Sequence, residues 1–187
     1  FDADKIIKKM MESPKWPQNK YYGMNKEEIK AAWDKNRDEA AAAGTKLHYD
    51  IECFYNNIKV ENCSDEYKQF LSFYKNHQEK IPYRTEWMIW DRQLRLAGSI
   101  DMTFINDDGT IDIYDWKRCK EIKKSNRWQY AMEECISHLP DTNFWHYSLQ
   151  LNTYKAILEK NYDKKIKDMY LVVMHPTQKK YMRYKVC

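Results

Sequence analysis

The sequence predicts an α/β fold, and three observations carry that expectation. Residues 98–105 and 111–117 are β-branched and aromatic runs on either side of Asn106-Asp107-Asp108-Gly109-Thr110, the pattern of an antiparallel hairpin. Residues 65–76 and 145–162 repeat apolar side chains at helical intervals. Residues 169–175 read as a further strand, with 179–186 pairing back onto it across Pro176-Thr177-Gln178. Strands and helices mixed in this order permit helices packed on a sheet.

A chain of 187 residues suits one domain with a real core, with a mainly helical part to about residue 80 and a sheet-and-helix part from about 81 onward. Aromatic content is 15% and Gly and Pro are scarce, so neither a long linker nor a low-complexity tract breaks the chain. No apolar run reaches membrane length, and the start, with Asp2, Asp4 and alternating lysines, lacks a signal-peptide core. The expectation is a soluble, intracellular protein without a membrane partner. Cysteines at 53, 63, 119, 135 and 187 are odd in number and form no C-x-x-C pair, which predicts reduced thiols. A net charge of +4 permits a polyanionic partner without requiring one.

Ile6, Ile7, Met10 and Met11 open the chain as a short amphipathic stretch, and the aromatics Trp16, Tyr21 and Tyr22 are expected to pack on the body. Asn25, followed by Glu27 and Glu28, caps a helix running to Ala43, which Gly44 ends or breaks. A second helix starts near Thr45, with Leu47, Ile51, Phe54 and Tyr55 as its apolar stripe. His48 and Glu52, four apart, share a neighbouring face of it. In 65–76, Phe70, Leu71, Phe73 and Tyr74 form the buried side. Residues 83–90 have strand composition around Glu86, a charge that either faces outward or has a function, and Asp91-Arg92-Gln93 turns the chain back.

The hairpin is where charge is least expected. Alternation puts Asp115 and Lys117 on the face of Ile111 and Ile113, with Tyr114 and Trp116 opposite, so this is an internal strand covered on both sides. Buried carboxylates must be paired, neutralised or bound to a cation, and converging ones repel unless a divalent ion lies between them. Mg²⁺ fits such hard oxygen ligands. Directly after this strand come Arg118, Lys120, Lys123, Lys124 and Arg127. Lys123 and Lys124 individually read as solvated surface; their place beside the carboxylates turns the run toward phosphate contact.

Gly98-x-x-Asp101 followed by Asp115-x-Lys117 resembles the core of the PD-(D/E)xK nucleases, and the wording is most similar to the RecB-type and lambda-exonuclease-type branch. Gly44-Thr45-Lys46-Leu47-His48, with Ile51-Glu52-x-Phe54, resembles that branch's helix-borne histidine motif, and Gln150-x-x-x-Tyr154 its substrate-channel motif. The Pro-Asp dipeptide is replaced by Ser99-Ile100-Asp101. Over residues 48–162 the resemblance implies a restriction-endonuclease-like core, a mixed central sheet with helices on both sides. It also implies one or two Mg²⁺ or Mn²⁺ ions. The first would be held by His48, Asp101, Asp115 and the Trp116 carbonyl. Lys117 would orient or deprotonate the attacking water, and Glu86 would support a second ion or hold Lys117. Glu52 would be structural, orienting His48. Some relatives carry an iron-sulfur cluster on one early and three late cysteines; here only Cys187 follows the catalytic region, and no cluster is expected.

The expected partner is DNA, single-stranded or at duplex ends, and the expected activity is an exonuclease serving replication, recombination or repair. Gln150 and Tyr154 would line its channel. The segment from Arg118 to Trp145, with Arg127, Trp128, Tyr130 and Trp145, is expected to be irregular structure or short helices, and its position alone makes it a candidate lid or arch with cations on phosphates and a Trp on a base. The alternatives are a Mn²⁺-dependent RNA endonuclease of the cap-snatching kind and a catalytically inactive nucleic-acid-binding module.

Overall fold

The structure, a computed structural model, describes residues 2–186; Cys187 therefore lies outside the described residues. The chain falls into two compact units, one ending at Thr45 and the other beginning at Lys46. The early unit opens with α1 (Ala3–Met11), capped by Asp2, whose carboxylate accepts from Lys5 N at 3.0 Å. Next comes α2 (Lys26–Tyr55), begun by a capping box. Asn25 Oδ1 accepts from Glu28 N at 2.9 Å, and Asn25 N donates back to Glu28 Oε2 at 2.7 Å.

α2 corrects the expected break at Gly44, because the helix runs through it. An interior glycine costs only about 1 kcal/mol against alanine. Four alanines precede Gly44, and the turns that follow are anchored by Leu47 and Ile51, both buried. The helix is thus favoured by alanine propensity before its weakest residue and anchored by burial after it.

In the second unit, α3 (Asp65–Asn76) starts at Ser64, whose hydroxyl accepts from Tyr67 N. A five-stranded sheet follows in chain order: β1 (Ile81–Asp91), β2 (Leu96–Ile105), β3 (Ile111–Arg118), β4 (Ile166–Met174) and β5 (Met182–Val186). Only β3 and β4 are parallel, joined across α4 (Asn143–Asn161), so the sheet is mixed. On one face Leu151, Ile157 and Leu158 of α4 pack against Ile111, Ile113 and Leu171. On the other, Leu47, Ile51, Phe70 and Phe73 pack against Phe104, Tyr114 and Trp116. The sheet is therefore an α/β core with helices on both faces, and β3 is its covered internal strand.

One irregularity positions everything that follows. Ile100 and Met102 have the same parity on β2, yet Ile100 packs with α4 while Met102 packs with α3. β1 breaks at the same level: pairing runs through Thr85↔Met102 and resumes at Trp87↔Ile100, with Glu86 between them at φ +43°. A left-handed conformation at a non-glycine strand residue costs about 1 kcal/mol or more. Both strands thus exchange faces at Glu86 and Asp101, and the strain coincides with the two acids.

Candidate metal centre

Past Met102↔Tyr114, β2 and β3 cease to pair, and the Asp101 carboxylate takes over the next main-chain donor. Its Oδ2 accepts from Trp116 N at 2.7 Å. From α2, His48 reaches the same point. Its Nε2 lies 2.8 Å from the Trp116 carbonyl oxygen, which can only accept, so Nε2 carries the proton. Nδ1 then faces Asp101 Oδ2 at 3.5 Å and Glu86 Oε1 at 3.9 Å. Ser99 Oγ donates to Glu86 Oε2 at 2.9 Å and fixes that carboxylate. One ligand atom each from His48, Glu86 and Asp101 lies within 4.8 Å of the others, a grouping that could hold a metal ion.

Asp115 stands next to this group on β3 but is oriented toward Lys117. Lys117 Nζ lies 2.6 Å from Asp115 Oδ2 and 4.7 Å from the centre of the Tyr147 ring on α4. The two form a close ion pair, although the ammonium approaches Asp115 Oδ2 at a poor hydrogen-bonding angle. Several expected roles shift accordingly. Asp115 and Tyr147, not Glu86, hold Lys117, and the Trp116 carbonyl, not Glu52, orients His48.

Electrostatics follow from this crowding. Burial, reinforced by Asp115, pushes the Asp101 carboxyl up to about 7 against the pull of His48 and Lys117. Burial likewise raises Asp115, with Lys117 opposing. Burial alone would lower His48 and Lys117, but their carboxylate neighbours outweigh it and both are raised. Glu86 moves the other way, lowered by His48 and Ser99. The cleft therefore contains carboxyls that resist ionisation without a further positive charge.

Gln150 and Tyr154 come together on α4, Gln150 Nε2 donating to Tyr154 Oη at 2.9 Å. Tyr154 also explains Gly98. A Cβ at position 98 would stand 2.4 Å from Tyr154 Cε1, so only glycine lets the ring lie against β2. Two separate sequence motifs thus meet in one contact. Tyr147 and Ser99 went unassigned in the sequence, although Tyr147 stands three before Gln150 and seven before Tyr154, the spacing of one helix face.

The basic run divides. Arg118 does not belong to its exposed part: its Nε donates to Glu66 Oε1 at 2.5 Å, and both side chains are largely covered. Lys120, Lys123, Lys124 and Arg127 are exposed. Lys123 pairs with Glu121 at 3.0 Å, and Lys124 lies over the Phe144 ring at 4.5 Å. Residues 119–142 are irregular apart from a short 3-10 turn (Glu134–Ile136) and the Tyr130↔Pro140 bridge, as expected for that stretch. Trp145, expected among its binding aromatics, is fixed instead by donating Nε1 to the Lys124 carbonyl at 3.1 Å.

Cys53, Cys63, Cys119 and Cys135 are free thiols. Among the described residues no helix is long and apolar enough to cross a membrane. No family model and no curated protein matches the chain.

Proposed function

We propose that the protein is a metal-dependent nuclease of the PD-(D/E)xK kind, hydrolysing DNA phosphodiester bonds at ends or in single strands. The observation that carries this reading is the convergence of His48, Glu86 and Asp101 where β1 and β2 exchange faces, with the Asp115–Lys117 pair beside it. One imidazole and several carboxylates suit Mn²⁺ or Mg²⁺, the imidazole favouring Mn²⁺. Asp101, raised by burial and by Asp115, is a carboxyl whose ionised form a divalent cation would stabilise.

A bound divalent ion would supply charge to the phosphoryl oxygens and lower the pKa of an attacking water. His48 Nδ1, Glu86 and Asp101 are the atoms placed to hold it, and Ser99 keeps Glu86 aimed at the group. Asp101 also ties β2 to the Trp116 amide, so displacing it would loosen the strand that carries Lys117. Lys117, with its raised pKa, stays an ammonium near neutrality. That state suits orienting a water and stabilising phosphoryl oxygens rather than accepting a proton. Asp115 and the Tyr147 ring fix where that charge stands.

The experiment is cleavage of labelled linear and circular DNA, and of single-stranded RNA, with Mn²⁺, with Mg²⁺ and with EDTA. The reading expects metal-dependent loss of linear DNA that Lys117→Met abolishes. Absence of cleavage under every condition, or activity undiminished in Lys117→Met, would overturn it; cleavage of RNA alone would replace DNA with RNA as substrate.

A further inference from the structure

Two residues beyond Lys117 the chain leaves the sheet and borders an open groove of about 700 Å³, running from Cys119 and Lys120 past Asn126 and Trp128 to Asn143. That volume lies within the roughly 300–1,000 Å³ of sites that take small organic groups. Its walls are pinned rather than loose. Asn143 accepts from Lys123 N at 2.9 Å and donates to the Glu121 carbonyl at 2.9 Å. Gln178 Nε2 donates to the Lys120 carbonyl at 2.8 Å.

Within these walls stands Trp128, the most exposed tryptophan of the chain at 89%. Its backbone is nonetheless held. Asn126 Oδ1 accepts from Trp128 N at 3.0 Å, while Asn126 Nδ2 donates to the Asp141 carbonyl at 3.1 Å. A large ring on a fixed backbone, left almost wholly to water, offers a flat apolar face against which a planar partner can stack. The charge beside it is mainly positive. Lys120 and Arg127 are exposed and, among the described residues, carry no carboxylate partner, whereas Glu121 pairs with Lys123 and Asp141 accepts from His146. With three cations, Lys120, Lys123 and Arg127, against two carboxylates, Glu121 and Asp141, the groove lining carries a net positive charge.

We infer that this groove binds an unpaired nucleic-acid strand, with one base stacked on Trp128 and the adjoining phosphates met by Lys120 and Arg127. An indole face open to solvent needs a partner with an uncovered face of its own, and bases within a duplex have none. A strand held there would continue toward Lys117, two residues from the groove's first wall residue. The inference rests on the nuclease reading only for what happens to the strand next; binding itself requires no metal.

That separation decides the test. Fluorescence anisotropy of a labelled 12-nucleotide oligo-dT, in EDTA so that nothing is cut, is compared with a blunt duplex of equal length. Trp128→Ala is expected to weaken oligo-dT binding about tenfold, while Trp128→Phe stays within about threefold. Arg127→Gln is expected to lower the salt slope by about 0.7, the loss of one single-strand phosphate contact. Trp128 is so exposed that unfolding should not accompany its loss, and an unchanged melting temperature verifies this. Unaltered oligo-dT affinity in Trp128→Ala, or an equal loss on the blunt duplex, overturns the groove. If the wild type cuts nothing with Mn²⁺ yet Trp128→Ala loses oligo-dT, the nuclease reading fails and the groove stands; cleavage with unaltered Trp128→Ala binding gives the reverse.

Discussion

Two buried aspartates stand three residues apart on β3 and behave in opposite ways. Asp112 and Asp115 are 3% and 2% exposed, so burial does not distinguish them. Asp112 is fully answered: Oδ2 takes Lys80 at 2.9 Å and Oδ1 takes Asn106 Nδ2 at 3.0 Å, which ties the hairpin turn to the sheet. Asp115 forms a 2.6 Å ion pair with Lys117 at a poor hydrogen-bonding angle, and it shares its surroundings with His48, Glu86 and Asp101. A buried carboxylate points to a site when its partners fail to satisfy it, not when it is merely buried. Asp91 on β1 belongs with Asp112, held by Lys160, Asn161 and Leu94 N, with its pKa well below the usual range because of Lys160.

Removing each carboxylate in turn tests that contrast most severely. Asp115→Asn is expected to lower metal-dependent cleavage by about a hundredfold or more while leaving stability within roughly 1 kcal/mol. Lys117 is about as covered as Lys80, at 18% and 16% exposure, but the asparagine keeps an oxygen beside it. Asp112→Ala is expected to do the opposite, costing about 3–5 kcal/mol because alanine leaves both the largely covered Lys80 and Asn106 without their acceptor. Chemical denaturation and cleavage measured on both proteins would break the comparison if the two variants lost the same property.

A smaller effect is expected at Gly98. Gly98→Ala would place its Cβ 2.4 Å from Tyr154 Cε1, forcing the ring aside, and should cost about 1–3 kcal/mol, with Tyr154→Ala in the same chain recovering part of it. Additive losses in a double-mutant cycle would mean that the two motifs do not meet.

The smallest is a pH effect. The folded Asp101 has its pKa raised to about 7 from an ordinary carboxylate value near 4, so the folded state binds its proton more tightly than the unfolded state. The stability from that proton is complete below about pH 4 and is lost as pH rises through about 7. In EDTA the melting temperature should therefore fall by a few degrees between pH 5 and 8, and Asp101→Asn should flatten the decline. An identical slope in the variant would remove Asp101 as its source.

The contrast also marks what the sequence could reveal. The hairpin was legible because period-two alternation and an Asn-Asp-Asp-Gly turn both point to it, and the α4 stripe because its period is helical. The place of Arg118 was legible too: it has the parity of Trp116, which faces α3, where Glu66 waits. It was grouped with its neighbours by charge rather than by face. The helix through Gly44 was hidden because a glycine ends helices only where nothing beyond it is anchored, and Leu47 and Ile51 are anchored by strands far away in sequence. The exchange of faces at Glu86 and Asp101 had no sequence signal, since the positive φ falls on a glutamate rather than a glycine.

Mn²⁺ binding followed by the loss of its free-ion paramagnetic resonance signal tests the centre without reference to any substrate. The account predicts one or two ions per chain in the wild type and loss of binding in Asp101→Ala. A wild-type protein that leaves Mn²⁺ free at millimolar concentration, or a variant that binds it equally well, would contradict a cation site at the crossing of β1 and β2.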